Sequence, residues 1–214
     1  MKSIAGIVLI LTFNLSFGQI MLEDHNKAIR FLNNSHKLLE QKDYIGATED
    51  LKKAIKLDST IRDTYTLIYQ TLTMTQDYSE QKKYLLKAKK VFTDDDEFCY
   101  YLGRLYQNEG KFDEAIAEYN EAVKFSKING EDYPIVYDYY SSRGICYLKK
   151  ELFSEAVKDF DYAIKLNNTK GNIYTNRGIA LFKMSNKLEA CESWRKALEL
   201  NEGSASNYIN KYCK

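Results

Sequence analysis

From Ala28 onward the chain alternates two kinds of stretch. Runs of a dozen or so residues carry apolar side chains at i, i+3, i+4 and i+7, and short polar breaks separate them. That spacing is the mark of amphipathic helices. Near the C-terminus one such run places Tyr174, Gly178 and Leu181 on one face, and the next places Ala190, Trp194 and Ala197. The break between them, Met184 to Lys187, is short, so the two helices must fold back on each other as an antiparallel hairpin.

The pattern repeats. Tyr140 to Asn167 and Tyr174 to Asn201 agree at Tyr, Arg, Gly, Ile, Lys, Glu, Ala, Ala, Leu and Asn with a constant offset of 34 residues. Laid backwards, the same grammar gives five units: 28–61, 62–95, 96–136, 137–170 and 171–204. Steps between them are 34 residues except the third, which is 41. The residues kept between copies are small, because Gly or Ala where two helices cross lets the backbones approach to about 8 Å. A hairpin of this size cannot bury both faces alone, so successive hairpins stack and the expected fold is an all-α solenoid. The long step surrounds Asn129 to Pro134. Asn129-Gly130 is a turn signal there, Pro134 suits the first turn of the following helix, and one flanking helix should be longer than standard. After the fifth unit, 205–214 restarts a first helix with Tyr208 in the large-residue place and then stops, as a polar cap does at a solenoid's end.

These units resemble tetratricopeptide repeats (TPRs), whose 34-residue pattern runs from a large residue through Leu-Gly, Tyr, Ala and Phe to Pro. The third unit carries Cys99, Leu102, Gly103, Tyr106, Ala115, Tyr119 and Ala122 at those places. The fourth carries Tyr140, Gly144, Tyr147, Ala156, Phe160 and Ala163, and the fifth Tyr174, Gly178, Leu181, Ala190, Trp194 and Ala197. The first has Ser35 for Gly and Leu51 for Phe, while the second has Tyr69 and Gln81 where small residues are expected. The closing Pro is missing throughout; Asp58-Ser59, Asp94 to Asp96, Asn167-Asn168 and Asn201-Glu202 stand at the junctions and can cap the next helix.

The resemblance implies a right-handed α-solenoid of five TPR-like hairpins with a short capping helix, and a non-enzymatic scaffold that binds a protein or peptide in its concave groove. First-helix side chains not needed for packing line that groove in this family. Mapped onto this chain they are Asn33, His36, Thr66 and Gln70, then Tyr101, Arg104, Asn108, Ser142, Lys149, Asn176, Lys183 and Asn210. Amides donate and accept at once, as a bound peptide backbone requires. Arg104, Lys149 and Lys183 suit an acidic or carboxylate-bearing ligand. The clamp by which some relatives hold a chaperone's C-terminal carboxylate is not reproduced; its places in the first three units read Leu32, His36, Leu67, Glu97 and Tyr101. The alternative to a groove adaptor is a structural subunit of an envelope or secretion assembly, held through its convex face or edges.

Composition narrows the reading further. Lys plus Arg is 31 against 30 for Asp plus Glu, with no basic run, which argues against nucleic acid as the partner. The N-terminus differs in kind: Lys2, the apolar run Ile4 to Leu11, and small residues at Ser16 and Gly18 form the pattern of a secretory signal peptide over 1–18. The apolar run is too short for a membrane span, residues 19–27 form a lead-in, and the expected location is periplasmic or secreted. Export gives the four cysteines, Cys99, Cys146, Cys191 and Cys213, two readings: free buried thiols acting as small hydrophobes, or one disulfide, with Cys191–Cys213 the first pair to consider. No catalytic motif is present, no metal ligand set surrounds His25 or His36, and no cofactor is expected. Glu114 with Glu118, and Asp159 near Lys165, read as solvated helix faces. Tyrosine is abundant at 18 residues. Tyr133, Tyr137, Tyr139 and Tyr140 are denser than the repeat demands, fitting either packing at the long junction or an aromatic contact patch.

Overall fold

The computed structural model describes the backbone of residues 3–214 and the side chains of Gln19 and of 21–214. The leader expected over 1–18 therefore lies outside the residues whose side chains are described. Two compact units divide the chain, Met1–Thr93 and Asp94–Lys214. The first contains α1 (Ser3–Glu40), α2 (Tyr44–Leu57), α3 (Arg62–Met74) and α4 (Tyr78–Val91). The second contains α5 (Asp96–Asn108), α6 (Phe112–Asn129), α7 (Val136–Lys149), α8 (Phe153–Leu166), α9 (Gly171–Lys183), α10 (Lys187–Glu199) and α11 (Ala205–Tyr212). Among the described residues there is no strand, and no helix is long and apolar enough to cross a membrane. The fold is a right-handed α-solenoid of five TPR-like helical hairpins, closed by the short helix α11.

The hairpin turns show how one local solution is reused with different residues. Lys42, Gln76, Gly110, Glu151 and Ser185 each adopt a left-handed backbone with φ between 58° and 73°. One residue later a backbone N–H returns to a carbonyl five positions back: Asp43 to Leu38, Asp77 to Leu72, Lys111 to Tyr106, Leu152 to Tyr147 and Asn186 to Leu181. This closure satisfies the orphan carbonyls at a helix end, and glycine is its usual residue. Only Gly110 meets that preference, so four of the hairpin turns accept a non-glycine residue for the sake of the following helix.

Within each hairpin the helices are held by small-against-large contacts. A methyl group added at Gly103 would stand 2.6 Å from the Tyr119 ring, at Gly144 2.8 Å from Phe160, and at Gly178 2.4 Å from Trp194 Nε1. Tyr119, Phe160 and Trp194 are themselves buried, which leaves no room for the methyl. In the first unit Ser35 takes the glycine place, and its hydroxyl is consumed by the carbonyl of Leu32 at 2.7 Å. Gln81, where alanine is expected, is 2% exposed, and its amide donates to the carbonyl of Tyr69 at 3.0 Å. Tyr69, in the glycine place, is only partly buried.

Three sequence expectations are corrected. Asp159 is not on a solvated face: it is 6% exposed and receives Arg143 Nε at 2.8 Å and Nη2 at 2.7 Å. Its partner lies 16 residues back on the other helix of the hairpin, a distance that spacing along one helix cannot reveal. The same step joins Asn34 to Asp50 and Arg177 to Ser193. Pro134 lies in the turn before α7, whose first residue is Val136, and not in its first helical turn. The long step is absorbed by α6, at 18 residues, and by the turn that follows Gly130 (φ 113°). Of the junction residues expected to cap helices, Asp95 does so, accepting from Phe98 N at 3.1 Å. Asp58 and Asn167 instead accept from the backbone N–H two residues on, at Thr60 and Thr169. They end α2 and α8, so the next helix starts too far along to be reached.

Candidate binding surface on the first helices of residues 94–214

In the C-terminal unit the first helices of successive hairpins touch, α5 against α7 and α7 against α9, forming one continuous row. The second helices take the packing role, so side chains on the outer side of this row are available for recognition. Arg104, Asn108, Lys149, Lys183 and Asn210 are exposed, and Tyr101, Ser142 and Asn176 are partly buried. The guanidinium of Arg104 lies 5.8 Å from the Tyr100 ring centre, which steadies it as a cation over an aromatic face. Ser142 is partly occupied: its hydroxyl bonds that of Tyr119, which also donates to Gln107 Oε1 at 2.6 Å. In the N-terminal unit Asn33, His36 and Gln70 are exposed, while Thr66 is partly buried and accepts from Arg62 at 3.4 Å.

Three neighbours join the row that the repeat pattern did not single out. Asp138 is half-buried at the start of α7; burial pushes its carboxyl up, while a Tyr137 hydrogen bond and the charges of Lys170 and Arg104 oppose the shift. Lys170 Nζ sits 5.6 Å from the centre of the Tyr137 ring. Arg104, Lys170, Asp138 and Tyr137 thus share one neighbourhood at the junction of three hairpins. Lys170 is the last residue before α9, and only the stacking of hairpins brings it to Tyr137.

The tyrosine-rich junction separates into two roles. Tyr139 is fully buried and donates to Asp96 Oδ2 at 2.8 Å, while Asn129 donates to Asp96 Oδ1 at 2.8 Å. Tyr140 and Tyr162 both donate to Glu131, at 2.7 and 2.6 Å, with their rings 4.4 Å apart. Burial pushes Glu131 upward, but the two hydroxyl donors with Lys127 and Lys165 leave its carboxyl below the ordinary value. Tyr133 alone of the cluster is largely exposed, at 62%. Most of the tyrosine density is therefore packing that fastens the seven extra residues.

At the other end of this unit Cys191 and Cys213 form a disulfide, with Cα atoms 5.6 Å apart, pinning α11 to α10. Tyr208 stacks on Trp194 at 5.0 Å and Tyr212 lies 4.3 Å from Phe182. Cys99 and Cys146 are buried thiols; burial pushes Cys146 up to about 12, well away from reactive thiolate chemistry. Among the described residues no group of three or more His, Cys, Asp or Glu is placed to hold a metal ion.

Comparison with known proteins agrees with this geometry. Residues 96–128 match the family model described as the tetratricopeptide repeat. Among solved structures, the chain resembles YrrB, described as a TPR protein with an unusual peptide-binding site: TM-score 0.71 at 19% identity, over 91% of this chain and 97% of that one. It resembles MamA from Desulfovibrio magneticus RS-1 with a TM-score of 0.71 at 17% identity, over 83% and 96% of the two chains. PilW, described as a type IV pilus biogenesis factor, gives a TM-score of 0.66 at 15% identity, over 82% and 78%. No curated protein matches the sequence significantly. At these identities the likeness establishes the fold, a TPR-type helical scaffold.

Proposed function

We propose that the protein is an exported, non-enzymatic adaptor whose α5, α7 and α9 row binds an acidic peptide or protein segment. The row itself carries this reading. Arg104, Lys149 and Lys183 are exposed on these three helices, Asn108 and Asn176 supply amides on α5 and α9, and Asn210 adds one from the capping helix. A peptide backbone needs donors and acceptors together, and carboxylates need cations. Export is supported by the leader pattern over 1–18 and by the Cys191–Cys213 disulfide, a bond at home in oxidising compartments.

The test is capture from an envelope extract, comparing the chain from Gln19 onward with a variant carrying Arg104→Ala, Asn176→Ala and Lys183→Ala. Both proteins are first checked for equal helicity. A protein held by the parent and lost by the variant is the expected outcome. Equal capture by both would overturn the groove assignment and favour a structural subunit held through its convex face or edges.

A further inference from the structure

The far end of the C-terminal unit carries a second basic surface, separate from the first-helix row. A cavity of about 360 Å³ is lined by Lys187, Leu188, Cys191, Arg195, Cys213 and Lys214. Leu188 and the Cys191–Cys213 disulfide supply its apolar lining, and Lys187, Arg195 and Lys214 are three cations with no Asp or Glu among the lining residues. Elsewhere on α9 and α10, Arg177 pairs with Asp161 and Glu189, and Lys196 with Glu199. Among the described residues Lys187, Arg195 and Lys214 have no such ion pair. Of the acids of α10, Glu189 meets Arg177 and Asn186, Glu199 meets Lys196, and Glu192 lines a separate cavity with Arg177 and Asp161. A cavity of this size with an apolar floor and a few convergent charges has the make-up of a ligand site.

Spacing defines the ligand. Lys187, Cys191 and Arg195 follow at i, i+4 and i+8, so they form one stripe along α10. At 1.5 Å per residue the two cations are rooted about 12 Å apart. In an extended chain residues i and i+4 point the same way and lie about 13 Å apart, with i+2 between them. We propose that this cavity binds an extended partner segment of the form acidic-x-apolar-x-acidic. The two carboxylates meet Lys187 and Arg195, and the central apolar side chain settles on Leu188 and the disulfide. This occupant follows from charge complementarity and from the apolar gap between the cations. It does not depend on the first-helix row having the function proposed above.

Fluorescence anisotropy with two labelled peptides of identical composition tests it. Glu-Ser-Leu-Ser-Glu has the required spacing and Glu-Glu-Ser-Leu-Ser does not. At low salt the first should bind several-fold more tightly. Lys187→Glu with Arg195→Glu should weaken it about tenfold or more, the combined effect of two exposed charge pairs reversed. Lys56→Ala with Lys90→Ala, two exposed cations that belong to neither proposed site, should leave it unchanged. Circular dichroism serves as the fold control, and a Glu in the first turn of α10 is itself compatible with the helix dipole. No binding of the spaced peptide, equal affinity for the two peptides, or undiminished binding in the Lys187→Glu, Arg195→Glu variant would each overturn the proposal. So would binding of anionic phospholipid vesicles through Lys187 and Arg195 with no binding of either peptide, which would make the patch lipid-facing.

Discussion

Replacing Gly178 with Ala is the sharpest probe of why the repeated units keep their small residues. On an isolated helix the change would help, since glycine in a helix interior costs about 1 kcal/mol relative to alanine. Here the new methyl would sit 2.4 Å from Nε1 and 2.6 Å from Cδ1 of Trp194. Trp194 is 1% exposed and walled by Phe182, Tyr208 and Tyr212, so it cannot swing aside. Forcing a methylene-sized group into a packed core costs roughly 1–3 kcal/mol. Displacing the indole also breaks its bond to the carbonyl of Thr175, 3.2 Å long, and strands a buried donor at roughly 1–3 kcal/mol. Offset by the helix gain, the net destabilisation is about 3 kcal/mol. Urea unfolding followed by circular dichroism reads it, with fluorescence of the single tryptophan as a local probe. Gly203→Ala, where an added methyl meets nothing within 4 Å, is the control and should stay within about 0.5 kcal/mol of the parent. In a Trp194→Leu background the Gly178→Ala penalty should largely vanish. A Gly178→Ala protein as stable as the parent would refute close helix approach as the reason for the repeated glycine.

Two further predictions concern the C-terminal unit. Cys191 and Cys213 are 22 residues apart, and a cross-link closing such a loop stabilises by roughly 3 kcal/mol through the unfolded chain. Cys213→Ser should therefore lower the unfolding midpoint and expose Trp194, seen as a red-shifted emission; unchanged emission would show that Tyr208 and Tyr212 hold α11 unaided. Glu131 has a folded-state pKa below its ordinary value of 4.5, so the stability it contributes is present above that pH and is lost as pH falls through the folded value. Asp159 is shifted upward by burial against the pull of Arg143 and works in the opposite sense. Glu131→Gln isolates the first effect: its stability should fall less steeply than the parent's as the solution is acidified from about pH 6. Parallel pH profiles would contradict the Tyr140–Glu131–Tyr162 bridge.

The opposite shifts of these two carboxylates show where reading the chain stops working. Glu131 and Asp159 are both acids on or beside a helix, and nothing in their immediate neighbours distinguishes them. Glu131 meets Tyr162 from 31 residues away, and Asp159 meets Arg143 from 16 away. Asp138 likewise owes its setting to Arg104 and Lys170, each supplied by a different hairpin.

What the sequence by itself determined is whatever depends on short-range periodicity. Helical spacing and the 34-residue offset settled the class and the hairpin repeat, because an amphipathic helix and its crossing partner are encoded within one unit. Gly103, Gly144 and Gly178 marked the crossing points for the same reason. The tertiary structure alone decided how Gln81 and Tyr69 exchange the usual small residues for a side-chain bond to the backbone. It also decided that Cys191 meets Cys213, and that Lys187 and Arg195 of α10 share a cavity with Cys213 and Lys214 from beyond α11. Those outcomes depend on which side chains meet once hairpins stack, and each contact joins residues from separate helices or hairpins. Local pattern fixes what each helix can bury; only packing fixes what each exposed charge is left to bind.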